Sequence, residues 1–94
     1  MTSPVLKALY DALSVVEALR VSCGGSESLE EAEKVLRLLI DAARRGEKPS
    51  RTGIENIIQL LLDARDELEE LGCLEAYRLE DAIAALESIE PLLE

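Results

Sequence analysis

Two cysteines, Cys23 and Cys73, are the residues of this chain best suited to covalent chemistry. Each lies next to a glycine at the end of a predicted helix, and the two connections share one end of the predicted helical packing. A redox-sensitive pair requires Cα atoms about 4.4–6.8 Å apart, a distance that adjacent loops often exceed. We therefore expect two ordinary small residues at helix termini, and the pattern leaves a disulfide between them open.

The composition excludes most catalytic and metal chemistry. The chain contains no histidine, which removes His-activated nucleophiles and His-based metal sites. Two thiols cannot fill a zinc site by themselves, and no glycine-rich phosphate loop or calcium loop occurs. We therefore predict that the protein is not an enzyme and that it binds no cofactor and no metal.

Carboxylates are concentrated in the C-terminal third. The net charge is −10, of which residues 1–62 contribute −1 and residues 63–94 contribute −9. A polyanion argues against nucleic acid and anionic membranes as partners. A solvated helix surface is the simpler interpretation, and the alternative is an acidic face that steers a basic partner or imitates a row of phosphates. This face comprises Asp66, Glu69, Glu70, Glu80 and Glu87.

The segment "RRGEKPSR" gathers four of the ten cationic residues into a stretch of eight. Its cations are Arg44, Arg45, Lys48 and Arg51. A basic loop before a helix N-terminus could hold a phosphate or an acidic partner. The simpler interpretation is that Arg44 and Arg45 complement the dipole of the preceding helix, while the other two keep the loop solvated.

Capping residues and apolar periodicity predict four helices. Ser3, Ser28 and Thr52 are suitable N-caps, the last two with glutamate three residues later. Gly46 and Pro91 are suitable stop signals. The predicted helices cover about residues 4–22, 29–45, 53–71 and 74–90, numbered helix 1 to helix 4.

Four helices of this length with short links predict an all-α fold, an antiparallel up-down-up-down four-helix bundle formed by residues 1–94 as a single domain. The alternative is a helix hairpin that completes its bundle by dimerising. No apolar run approaches the roughly 18 residues of a membrane span, and the N-terminus lacks the layout of a secretory signal. We therefore expect a cytoplasmic protein.

Helix 2 carries more apolar residues than one core face can use. Val35, Leu38 and Ala42 form a second apolar line beside its core face, and Val15 and Leu19 form a weaker one on helix 1. Two helices that each carry a second line indicate a contact surface more strongly than scattered apolar residues do. We predict self-association, as a homodimer, or partner docking through helices 1 and 2.

These observations favour a non-catalytic, small acidic bundle that acts by protein–protein contact, as an adaptor or regulator. The first alternative is an acidic inhibitor that mimics nucleic acid and blocks a basic or nucleic-acid-binding protein. The second is a stand-alone bundle with no specific activity, such as a designed chain. Salt separates the first two, because binding through carboxylates weakens with ionic strength whereas an apolar contact persists.

Overall fold

The computed structural model describes residues 3–93, so Met1, Thr2 and Glu94 of the predicted domain lie outside the described residues. That part of the chain forms four α-helices and no strand. The helices are α1 (Pro4–Ser22), α2 (Glu27–Arg44), α3 (Arg51–Glu70) and α4 (Leu79–Glu87), with 3₁₀ turns at Ala76–Arg78 and Glu90–Leu92. The predicted all-α class is confirmed.

The helices pack as a four-membered bundle. Helix α1 contacts α2 and α4, and α3 contacts the same two helices, so the four surround one core. The short connections at 23–26 and 45–50 make consecutive helices antiparallel. The molecule measures 38 × 20 × 19 Å, and the predicted four-helix bundle is confirmed. Within residues 3–93, no helix is both long enough and apolar enough to cross a membrane.

The core is aliphatic, and all four helices contribute to it. Both tyrosines, Tyr10 and Tyr77, are exposed, so leucine, isoleucine, valine and alanine fill the interior. Deletion of any of these buried side chains leaves a cavity that a close-packed interior refills only in part. The largest fully buried apolar side chains are Leu9, Val16, Leu19, Leu29, Leu36, Ile54, Ile57, Leu61, Leu68, Leu79 and Leu86.

Serine caps begin the first three helices, and two of the predicted caps are wrong by two residues. Ser3 caps α1 as predicted, and its hydroxyl accepts a hydrogen bond of 3.0 Å from a backbone N–H. Ser26 replaces the predicted Ser28 at the start of α2, and Ser50 replaces Thr52 at the start of α3. Their hydroxyls accept backbone N–H groups at 3.1 and 2.9 Å. An earlier serine that satisfies a free N–H extends each helix toward its N-terminus.

The predicted helix 4 over residues 74–90 is wrong in length, because α4 covers only Leu79–Glu87. Helix α3 ends in a Schellman arrangement in which Gly72 adopts φ +83° and the Cys73 N–H donates to the Leu68 carbonyl at 2.9 Å. Cys73 is also bonded to Cys23. These two constraints hold the chain in turns until residue 78, so Leu74 and Tyr77 lie outside the regular helix.

Candidate functional site

The residues of the predicted contact line lie in three different environments. Leu19 is fully buried in the core, and Val15 and Val35 are half-buried and pack against it. Ala42 is half-buried as well. Only Leu38 is prominent on the surface, with 67% of its area exposed. The structure therefore corrects the prediction for Leu19, which belongs to the core, and leaves one large apolar side chain of the line in solvent.

The side of α2 that faces α1 is covered by ion pairs. Arg20 of α1 donates to Glu33, while Arg37 bridges Glu33 and Glu17. The hydrogen bond from Arg20 is the main cause that lowers the pKa of Glu33 below its usual value, and Arg37 adds to the effect. This surface between α1 and α2 is charged rather than apolar.

Leu38 lies on the other side of α2. Lys34, one turn before it, lines a shallow hollow together with Leu60 of α3. Two residues correspond to about 200° around a helix, so Leu38 points away from the fully buried Leu36 and into solvent. Val15 of α1 is half-buried against the core, whereas Leu38 is exposed, so the two do not form one exposed apolar line.

The basic loop is tied to the C-terminal segment of the chain. The Arg51 guanidinium lies 3.7 Å from the Glu90 carboxylate, and Lys48 Nζ donates to the Leu92 carbonyl at 3.4 Å. These contacts use two of the four predicted loop cations to close the end of the bundle opposite the disulfide. Lys48 and Arg51 therefore stabilise the molecule through contacts within the chain.

The other two cations of the basic loop differ from each other. Arg45 pairs with Glu47 at 3.2 Å, and both side chains are exposed, so this bridge contributes little to stability. Arg44 is exposed and has no ion-pair partner among residues 3–93. One unpaired arginine is a weak basis for a phosphate site, and the loop acts mainly as a structural connection.

The five residues of the predicted acidic face are all exposed. Arg65 lies between α3 and α4, 3.6 Å from both the Asp66 and the Glu80 carboxylates. Within the described part of the chain, ion pairs reach only these two members of the face, which leaves Glu69, Glu70 and Glu87 without a cation partner. The negative charge on this side of the bundle is therefore only partly neutralised.

The two cysteines form a disulfide, contrary to the sequence expectation of two unpaired residues. The Cα atoms of Cys23 and Cys73 lie 5.9 Å apart, within the range that a disulfide requires. Cys23 is exposed and Cys73 is half-buried. The short turns after α1 and α3 bring the two connections closer than adjacent loops usually come, and a bond closes this end of the bundle.

Four large apolar side chains within a few residues of Cys23 or Cys73 lie outside the core, and two of them, Leu71 and Leu74, line one hollow with the cysteines. Leu74 and Val21 are 91% and 90% exposed, and Leu71 and Tyr77 are 63% and 64% exposed. We call these four side chains the apolar end. Four of the seven large apolar residues exposed within residues 3–93 belong to the apolar end, so the exposed apolar surface there is concentrated rather than scattered.

Sequence reasoning missed the apolar end for an identifiable reason. A helix predicted to begin near residue 74 places Leu74 and Tyr77 in a regular apolar pattern, where they look like ordinary helix positions. The end of helix 3 before Gly72 was predicted, but no side-chain N-cap marks the start of α4 at Leu79, so the sequence carries no local signal for its late start.

A second polar cluster lies beside the disulfide and joins α2 to α3. The Glu67 carboxylate accepts hydrogen bonds from the Ser28 hydroxyl at 2.6 Å and from the Ser26 hydroxyl at 2.7 Å. Ser26 is almost fully buried and at the same time caps α2. The hydroxyls of Ser28 and Ser26 lower the pKa of Glu67 below its usual value. Glu67 therefore holds the start of α2 against α3.

Glu67→Gln is expected to lower the free energy of unfolding by about 1–2 kcal/mol at neutral pH, because two serine hydroxyls lose a charged acceptor. The folded pKa of Glu67 is lowered, so its contribution is complete above the unfolded value of about 4.3. The contribution is lost as the pH falls through the folded pKa. Urea unfolding of the wild type and the variant should therefore differ at neutral pH and converge in acid.

The exposed Glu69→Gln serves as the matched control for this experiment, since the Glu69 carboxylate makes no hydrogen bond or ion pair within residues 3–93. It should unfold like the wild type at neutral pH. A stability difference for Glu67→Gln that persists unchanged in acid would contradict the assignment of the carboxylate as the acceptor.

No three acidic or cysteine side chains within residues 3–93 come together as metal ligands. The sequence matches no known protein family, no curated protein and no solved structure. The surfaces themselves therefore carry the functional argument: an apolar end around a disulfide, a partly neutralised acidic face, and an isolated exposed leucine on α2.

Proposed function

We propose that the protein is a non-catalytic binding protein that acts by protein–protein contact, as an adaptor or regulator. The observation that supports the proposal is the apolar end, where four large side chains are exposed around the disulfide. The core is complete without them, because residues from all four helices already fill it. Concentrated apolar surface with a polar border is typical of an interaction site.

The apolar end supports contact better than Leu38 does. Burial of Leu38 in two copies would supply roughly 3–6 kcal/mol, which is at or below the 4–15 kcal/mol or so that association costs. Leu71 and Leu74, which line one hollow, would supply up to roughly 6–12 kcal/mol in a symmetric pair. We therefore place the contact surface at the disulfide end and treat Leu38 as a minor site.

Self-association as a homodimer is part of the proposal, but repulsion between carboxylates of the two copies opposes it. A symmetric contact through the apolar end brings Glu69, Glu70 and Glu75 of each copy close to the same residues of the other. Like charges across a contact cost several kcal/mol unless ions screen them. Screening is weak at about 0.01 M salt, where the Debye length is roughly 30 Å, and strong at about 1 M, where it is roughly 3 Å.

Light scattering coupled to size exclusion tests this proposal. The mass should stay near 10.3 kDa at low salt and rise toward twice that value at high salt. Leu74→Glu should prevent the rise because it places a charge in the apolar end. Leu38→Glu is the matched control, and it should behave like the wild type.

A protein that stays monomeric in high salt would count against an associating apolar end. A dimer that Leu38→Glu abolishes and Leu74→Glu preserves would move the contact surface to α2, close to the surface expected from the sequence.

A second candidate function is the acidic inhibitor of a basic or nucleic-acid-binding protein. The observation that favours it is the set of exposed carboxylates without a cation partner, Glu69, Glu70 and Glu87, within residues 3–93. Binding of this kind depends on charge and weakens as salt rises. The homodimer proposed above has the opposite salt dependence, so the two functions are separable.

The cytoplasmic location expected from the sequence remains a proposal, and the disulfide bears on it. Disulfides persist in oxidising compartments and are rare in the cytosol. In the cytoplasm we expect Cys23 and Cys73 to be reduced, with the bundle held by its core alone. Alkylation of free thiols in cell extracts, before and after reduction, measures which state the chain occupies.

A further inference from the structure

The apolar end has the shape of a shallow receptor for a protruding side chain. Leu71 and Leu74, together with both cysteines, line one open hollow at the tip of the bundle. Tyr77 follows Leu74 by three residues, lies in the 3₁₀ turn Ala76–Arg78 and is 64% exposed. Leu74, at 91% exposed, has almost no contacts of its own.

The border of this hollow is acidic. Glu69 and Glu70 end α3 directly before Leu71, and both are exposed without an ion pair within residues 3–93. Glu75, which also lines the hollow, is paired only with Arg78 at 3.3 Å. Across the segment from residue 66 to residue 77 the sequence contains five carboxylates and no cation.

We infer that the apolar end receives a protein segment whose apolar side chain enters the hollow between lysine or arginine residues, an inference that rests on the proposed function. Charge complementarity selects this occupant, because cations flanking the apolar side chain meet Glu69, Glu70 and Glu75 at the border. A second copy of the chain supplies the apolar surface but repeats the same carboxylates. Such a copy therefore competes only where salt screens them.

The disulfide keeps the surface of the hollow ordered before a partner binds. It joins the connection after α1 to the connection after α3 across 50 residues, so the walls of the hollow come from two segments that the bond holds together. A surface that is already ordered loses less conformational entropy on binding. The inferred partner therefore binds the oxidised protein more tightly than the reduced protein.

The test uses a synthetic amphipathic peptide of leucine and lysine as the probe, with a leucine and glutamate peptide of the same pattern as its control. Calorimetry in about 0.1 M salt, where charges beyond roughly 10 Å are screened, should detect the lysine peptide and not the glutamate peptide. Leu74→Ser should weaken the binding about tenfold, as expected for loss of a central apolar contact. Leu38→Ser, equally neutral and also exposed, should leave the affinity unchanged.

Each alternative result overturns the inference in a recognisable way. Equal affinity of Leu74→Ser and the wild type, with binding lost at high salt, would assign the peptide to the acidic face and favour the inhibitor function. Absence of peptide binding combined with a salt-promoted dimer would reject the basic partner while leaving protein–protein contact as the function. Equal binding of both peptides would show that the border carboxylates do not discriminate between a basic and an acidic partner.

Discussion

Reduction of the Cys23–Cys73 bond is expected to lower the free energy of unfolding by about 4 kcal/mol. The bond closes a loop of 50 residues, and the entropy that such a loop removes from the unfolded chain corresponds to about 4 kcal/mol. A change of this size is a large part of the 5–15 kcal/mol or so that stabilises an ordinary domain. The midpoint of thermal unfolding should fall by roughly 16–32 °C.

Urea unfolding of the wild type with and without reductant measures this difference. The double variant Cys23→Ser with Cys73→Ser is the control. It should unfold like the reduced wild type, and added reductant should not change its unfolding transition. The exposure of Cys23 allows the reductant to reach the bond in the folded protein. Identical transitions with and without reductant would contradict the presence of the disulfide in the folded state.

Leu19→Ala is expected to lower the free energy of unfolding by about 3–4 kcal/mol, within the 2–5 kcal/mol or so typical of buried leucines. The side chain is fully buried between the helices, so its removal loses apolar burial and leaves a cavity. The thermal midpoint should fall by roughly 12–32 °C. Calorimetric or circular dichroism melting of the monomer at low salt measures the effect without a contribution from self-association.

Leu38→Ala is the matched control for Leu19→Ala, because both residues belong to the contact line that the sequence predicts. Leu38 is 67% exposed, and truncation of a surface side chain usually changes stability by less than about 0.5 kcal/mol. A small effect at Leu19 and a large one at Leu38 would reverse the assignment of core and surface.

The bundle itself could be predicted from the sequence, because its cause is local and repeated. Apolar residues recur at the helical period in α1, α2 and α3, and serine caps, Gly46 and Gly72 mark the helix ends. Each of these two signals involves residues that are only a few positions apart in the sequence. Such signals determine where a helix lies and which face it buries, and short links then leave antiparallel packing as the natural arrangement.

The features that could not be predicted depend on contacts between distant residues. The disulfide requires the turns after α1 and α3 to approach within 5.9 Å between Cα atoms, which no local pattern reports. Ser26 rather than Ser28 caps α2, while the Ser28 hydroxyl donates to Glu67, some forty residues away. Sequence spacing alone favoured the later serine.

The candidate site shows the same division. The exposed acidic residues could be predicted because charged helix positions are seldom buried. The apolar end could not be predicted, because the residue at which α4 begins decides whether Leu74 and Tyr77 lie in a helix or in turns. The residues of the contact line predicted on helices 1 and 2 do not share one surface in the structure. Leu19 is fully buried in the core, whereas Leu38 is 67% exposed to solvent.

The central claim is that the apolar end is where this protein meets another protein. Titration of isotope-labelled protein with the leucine and lysine peptide, followed by amide chemical shifts, tests it residue by residue. We expect the shifts to concentrate at Val21, Leu71, Leu74 and Tyr77 and around the two cysteines. Shifts centred instead on Leu38 and the groove between α2 and α3, with none near the disulfide, would contradict the claim.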